Sequence, residues 1–116
     1  MRDHKSLIAW QEARAVALGV LRLGDAHWRP SLSAVFGQLY RASLSAQINI
    51  AEGYSFGPSP TYRRHLGIAY GSAVETTDLL ENLRDSELIG AEVVTDLILR
   101  SRRTQALLRG LQKRGK

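Results

Sequence analysis

The sequence predicts an all-α protein, an antiparallel up-and-down four-helix bundle, and three observations lead there. Apolar residues recur at intervals of three and four along nearly the whole 116-residue chain, while the strict apolar–polar alternation of a strand is absent. Proline, glycine and capping residues divide the chain into four segments of about 20–25 residues, each roughly 30–37 Å long at helical rise. The links between segments are short, and short links make neighbouring helices antiparallel.

The first helix is expected over residues 6–24. Ser6 is placed to cap it, Gly24 to end it, and Leu7, Trp10, Ala17, Val20 and Leu21 to face the core. Residues 25–30 then form a connector. Ser31 is the expected cap of the second helix, residues 31–52, whose apolar stripe is Leu32, Val35, Leu39, Ala42, Ala46 and Ile50. Gly53-Tyr-Ser-Phe-Gly-Pro-Ser-Pro60 is the clearest loop, with Gly53 at a helix C-terminus and prolines that stop continuation. Ser59 followed by Pro60 is a strong start signal for the third helix, residues 60–85. That helix carries Gly67 and Gly71 four apart, and Ala69 and Ala73 likewise. Glycine in a helix costs about 1 kcal/mol against alanine, so close approach of a neighbouring helix is the expected reason. A turn near residues 86–90 leads to the fourth helix, residues 91–111, with Val94, Leu97, Ser101, Thr104, Leu108 and Leu111 inside. Residues 112–116 read as a basic tail, and residues 1–116 as one domain.

Composition narrows the chemistry. There is no cysteine, which removes disulfides, thiolate metal sites and a cysteine nucleophile. No signal peptide is expected, because Asp3, His4 and Glu12 interrupt the start. No uncharged stretch approaches the 18 or so residues of a membrane span. A cytoplasmic protein without membrane contact is therefore expected. A di-iron bundle needs Glu-x-x-His pairs, but Gly24 and Tyr62 stand three residues before His27 and His65, and only Met1 before His4. Gly57 is followed by Pro-Ser-Pro and not by the Gly-Lys-Ser/Thr of a phosphate-binding loop. Neither Asn49 with Glu52 nor Glu52 with Glu75 comes with a nucleophile or base that would make a hydrolytic pair. The expectation is no catalytic residue, no metal and no cofactor.

Charge is distributed unevenly. The formal net charge is +5, from 16 basic and 11 acidic residues. Residues 75–96 hold seven acids and Arg84 alone as a base, whereas residues 100–116 hold seven bases and no acid. On the fourth helix Arg102, Gln105, Arg109 and Lys113 share one face, flanked by Arg100, Arg103 and Arg114. A basic helical face of this kind is the footprint expected for phosphate backbones. The competing readings are a solvated face whose cations favour a helix C-terminus, and a tail docked on the acidic cluster. Trp10, Phe36, Tyr40 and Tyr70 are expected in the core. Tyr54 and Phe56 lie in the loop, where plugging the bundle end is favoured over stacking on bases.

The most informative stretch is residues 38–53. Its polar side chains Gln38, Arg41, Ser45, Asn49 and Glu52 fall three, four, four and three apart, on one stripe beside the apolar one. Such a seam must be paired where buried. Two roles fit: an internal network with Arg41 paired to Glu52 or Glu75 and Asn49 capping a neighbour, or a contact between subunits.

These residues also carry a resemblance. Leu7, Trp10, Gln11 and Ala13 form an opening Leu-x-x-Trp-Gln-x-Ala pattern. Residues 38–53 match Gln-Leu-x-Arg-Ala-x-x-Ser-x-x-x-Asn-Ile-Ala-Glu-Gly throughout. Tyr62, Leu66, Ile68, Ala69, Gly71, Ser72 and Glu75 form a third-helix pattern. In all three the chain resembles the bacterial four-helix-bundle family named after the protein encoded in 23S rRNA intervening sequences, which includes the accessory variability proteins of diversity-generating retroelements. The resemblance implies an antiparallel bundle assembled as a homopentamer and a non-enzymatic role near RNA. In the retroelement branch it also implies a reverse transcriptase as partner. Under this reading Arg100, Arg102, Arg103, Arg109, Lys113 and Arg114 contact nucleic acid. Trp10, Gln38, Arg41, Ser45, Asn49, Glu52, Gly71 and Glu75 maintain the bundle or its subunit contacts. The alternative is a protein-interaction scaffold that recruits a basic partner through residues 75–96.

Overall fold

Four long helices follow from the apolar spacing, and a computed structural model describes them over residues 3–114. They are α1 (Ile8–His27), α2 (Ser33–Ser55), α3 (Pro60–Ser86) and α4 (Ala91–Arg114), with single 3-10 turns at His4–Ser6 and Pro30–Leu32. Among the described residues there is no strand. Each helix packs on two others in the cyclic order α1, α2, α3, α4. The bundle measures 43 × 20 × 20 Å. Its length is close to the roughly 40 Å rise of 27 helical residues. Lys113 and Arg114 are helical residues, so the expected tail continues α4; residues 115 and 116 of that tail lie outside the described residues.

The expected core stripes are largely inside. Leu32, Leu39, Ala42, Ala46 and Ile50 of α2 are buried, as are Val94, Leu97, Ser101, Thr104 and Leu108 of α4. Leu21, expected inside, is exposed. Phe36 is fully buried, whereas Trp10, Tyr40 and Tyr70 pack half-buried against the apolar clusters.

Several helix ends differ from the sequence reading. Ser59 does cap α3, accepting from the Tyr62 amide at 3.1 Å. Ser6 and Ser31 cap nothing: each sits in a 3-10 turn, and Leu7 and Leu32 occupy the N-cap positions without side-chain bonds. Gly24 does not end α1, which runs on to His27 through half of the expected connector. A Cβ on Gly24 would collide with the Tyr40 hydroxyl, so this glycine serves close packing of α1 on α2. Gly53 likewise lies inside α2, where a Cβ would stand 2.6 Å from that of His65. The glycine that ends α2 is Gly57, left-handed at φ 67°. On α3 the close approach falls to Ala69 and Ala73, both buried. Gly67 meets only the end of Gln112, and Gly71 has nothing near it.

The core divides into two apolar clusters separated by a waist of small and hydroxyl residues. One holds Val20, Phe36, Leu39, Leu80 and Val94; the other holds Ala13, Ile50, Leu66, Ala73 and Leu108. Between them a void of about 10 Å³ is lined by Ser43, Thr76, Ser101 and Thr104 with alanines and Val16. The buried hydroxyls are satisfied locally. Ser43, Thr76, Thr77 and Thr104 bond to carbonyls four residues back at 2.7–2.9 Å. Thr77 Oγ1 also lies 2.7 Å from Ser101 Oγ and 2.6 Å from Gln105 Oε1, tying α3 to α4.

Candidate nucleic-acid interface

Alternating helix direction converts charge asymmetry along the chain into charge asymmetry along the bundle. The end of α3 and the start of α4 lie at one end, with the end of α1. That end carries Asp25, Asp85, Glu87, Glu92 and Asp96 against Arg22, Arg29 and Arg84. The opposite end joins the first turn, the loop after α2, the start of α3 and the end of α4. It carries Lys5, Arg63, Arg64, Arg109, Lys113 and Arg114 against Asp3 and Glu52. The Asp3 carboxylate is itself occupied, accepting from the Lys5 amide at 2.9 Å.

The bases of α4 divide into two groups. Near the waist, Arg100 Nη1 donates to Glu12 Oε1 at 3.0 Å, and Arg103 Nη1 lies 3.7 Å from the same oxygen. Arg100 also pairs with Asp96 at 3.7 Å. The Glu12 side chain is only 9% exposed, so its charge is compensated from α4. Arg102 donates to Glu81 of α3, which docks part of the basic face on the acidic stretch within one chain. Toward the basic end, Arg109 lies over the Tyr70 ring with Cζ 4.8 Å from its centroid. Lys113 and Arg114 are exposed and form no ion pair among the described residues.

Beside these bases the bundle end is hollowed. A cavity of about 230 Å³ is lined by Tyr54, Pro58, Tyr62, Arg63, Leu111 and Arg114, with Leu7 and Ser59. Tyr54 packs edge-on against Tyr62, with centroids 5.9 Å apart, and closes the bundle end as expected. Phe56 does not: it is 58% exposed and stacks at 20° on the imidazole of His65, with centroids 5.8 Å apart.

The polar seam of α2 is internal at its centre and exposed at its ends. Ser72 Oγ of α3 donates to Ser45 Oγ at 2.8 Å. Asn49 Nδ2 donates to the Ser45 carbonyl at 2.9 Å, and Asn49 Oδ1 lies 2.9 Å from His65 Nδ1. Gln38, Arg41 and Glu52 are exposed, and Arg41 pairs with neither Glu52 nor Glu75. A chain of hydroxyl, amide and imidazole thus stands where the ion pair was expected. Trp10 has His4 edge-on at 4.9 Å, and Gly71 and Glu75 border an open groove with Asp78, Glu81 and Arg102.

The bonding roles of four participants escaped sequence reading: Glu12, His65, Thr77 and Ser72, the last noted only within the third-helix pattern. Ser72 and His65 lie seven apart on one stripe of α3, a spacing that could have matched them to Ser45 and Asn49. Lys5, Arg63 and Arg64 reach the basic end only through the antiparallel fold. Among the described residues no group of three or more His, Cys, Asp and Glu could hold a metal ion. No helix of the described residues is long and apolar enough to cross a membrane.

The model of the 23S rRNA-intervening sequence protein family matches residues 5–110, and the chain belongs to that family. The fold is similar to a crystal structure of a protein of unknown function from the S23 ribosomal protein family of Bacteroides thetaiotaomicron. The two share 22% identity and a TM-score of 0.83, covering 91% of this chain and 99% of that one. No curated protein matches the chain.

Proposed function

We propose that this member of the 23S rRNA-intervening sequence protein family is a non-enzymatic, cytoplasmic homo-oligomer that binds structured RNA through phosphate contacts. The carrying observation is the sorting of charge to opposite ends of the bundle, with Lys113 and Arg114 exposed and unpaired by any carboxylate among the described residues. Cations gathered at one end release several counterions when they meet a phosphate backbone. Within the basic face, Arg109, Lys113 and Arg114 make the main contacts. Arg100, Arg102 and Arg103 contribute less, because each already engages a carboxylate. A reverse transcriptase as partner would rest on the resemblance alone.

Self-association into a pentamer is part of the proposal. Ile48 and Ile68 are exposed on the α2–α3 side. Ala26, Val93 and Leu97 line a groove of about 450 Å³ on the opposite, α1–α4 side. Two different apolar faces on opposite sides suit the head-to-tail contacts that close a ring.

The test is affinity for an RNA hairpin across a salt series, on protein of determined oligomeric mass, with Lys113→Glu/Arg114→Glu as comparison. The wild type should weaken linearly on a log–log salt plot. The double variant should bind at least tenfold more weakly, with a shallower slope and unchanged helicity. Equal affinity of the two proteins would remove RNA contact from this end. A protein-scaffold reading is favoured by exposed Trp28 and Leu88 at the acidic end. Absence of RNA binding even at low salt would move the assignment there.

A further inference from the structure

Phe56 is large, apolar and exposed, and its ring belongs to neither apolar cluster of the core. Its backbone closes α2, the amide donating to the Gly53 carbonyl at 3.1 Å, and left-handed Gly57 follows. Its ring lies nearly parallel to the His65 imidazole. That imidazole is in turn oriented by Asn49, 2.9 Å from Nδ1. One face of the phenyl ring is thus covered by a fixed neighbour, and 58% of the residue remains open. The aromatic packing at this end of the bundle is made by Tyr54 against Tyr62. The end of the bundle that carries Phe56 is mainly basic. Arg63 and Arg64 precede His65 on α3, and Lys113 and Arg114 end α4 at the same end of the bundle; Glu52, one turn earlier on α2, is the nearest acid in sequence.

A preordered aromatic face at an arginine-rich end of the bundle is the composition of a stacking platform for an unpaired nucleobase. A base pair inside a duplex offers only its edges, so the platform has no use on a blunt helix. We propose that the Phe56–His65 stack receives one unpaired base of an RNA strand leaving a duplex, while Arg63 and Arg64 contact its flanking phosphates. The preferred ligand is then a duplex–single-strand junction. This rests on the RNA reading of the basic end and adds the class of RNA.

The experiment compares a blunt hairpin with the same stem carrying a short single-stranded 3′ or 5′ extension, titrated by fluorescence anisotropy. For the wild type, an extension of at least one polarity should tighten binding. Phe56→Ala should lose about tenfold on that extended RNA and nothing on the blunt one, the usual effect of deleting a base-stacking aromatic. Phe56→Tyr, which keeps a π face, should bind as wild type. Phe56→Leu, which keeps apolar bulk without a π face, should behave as Phe56→Ala and decides the matter if the alanine variant loses helicity. Equal affinity of wild type for all three RNAs, or parallel loss on blunt and extended RNA, would overturn the platform while leaving duplex contact standing. Binding to none of them would overturn both readings.

Discussion

Gly24 and Gly71 sit in the same kind of helix yet should respond oppositely to one methyl group. At Gly24 the new Cβ would overlap the Tyr40 hydroxyl, whose ring packs beside Phe36 at 6.1 Å. Overpacking of this sort costs about 1–3 kcal/mol, more than the helix propensity alanine brings. At Gly71 nothing lies within 4 Å, so only propensity changes. Gly24→Ala should therefore lower the urea midpoint and Gly71→Ala raise it, the latter by up to about 1 kcal/mol of stability. If Gly71→Ala instead destabilises the protein, an intersubunit contact at that residue becomes the explanation. The sequence marked both glycines, but assigned Gly24 to a helix end and Gly71 to a tight contact. Local capping rules see only the chain, whereas Tyr40 reaches Gly24 from the next helix.

At the scale of elements, the four helices and their inner stripes were legible because periodicity reports burial directly. The Ser59–Pro60 start was legible because cap and proline act within one turn. The polar waist was only half legible. Ser101 and Thr104 stood in the inner stripe of α4, but Ser43, Thr76 and Thr77 look surface-like until their carbonyl bonds are seen. Thr77 is the connection between elements there, reaching Ser101 and Gln105 across the α3–α4 contact. Thr77→Val keeps the shape and strands the Gln105 oxygen, while Ser101 keeps its bond to the Ala73 carbonyl at 3.3 Å, so it should cost about 1–3 kcal/mol by denaturant unfolding. In a double-mutant cycle with Ser101→Ala, the two losses should fall short of additivity by at least about 0.5 kcal/mol, since the residues share one bond. Strict additivity would mean that the 2.7 Å contact carries no coupling.

For the whole molecule, the basic end was legible only in part. The C-terminal bases of α4 could be counted from the sequence, but their merger with Lys5, Arg63 and Arg64 requires helix direction. So does the loss of Arg100, Arg102 and Arg103 to carboxylates of α1, α3 and α4. The result is a rod 43 Å long with its charges separated. At physiological ionic strength the screening length is about 8 Å, so each end acts on its own surroundings. Net charge and local charge then make different predictions. Glu87→Lys with Glu92→Lys adds four positive charges to a formal net charge of +5 at the far end. If RNA responds to the molecule's total charge, this variant should bind substantially tighter. If the basic end alone makes contact, affinity at physiological salt should stay within about twofold of wild type, and a gain should emerge only as the screening length grows toward 30 Å near 0.01 M salt. A large gain at physiological salt would place RNA along the length of the bundle and not at its end.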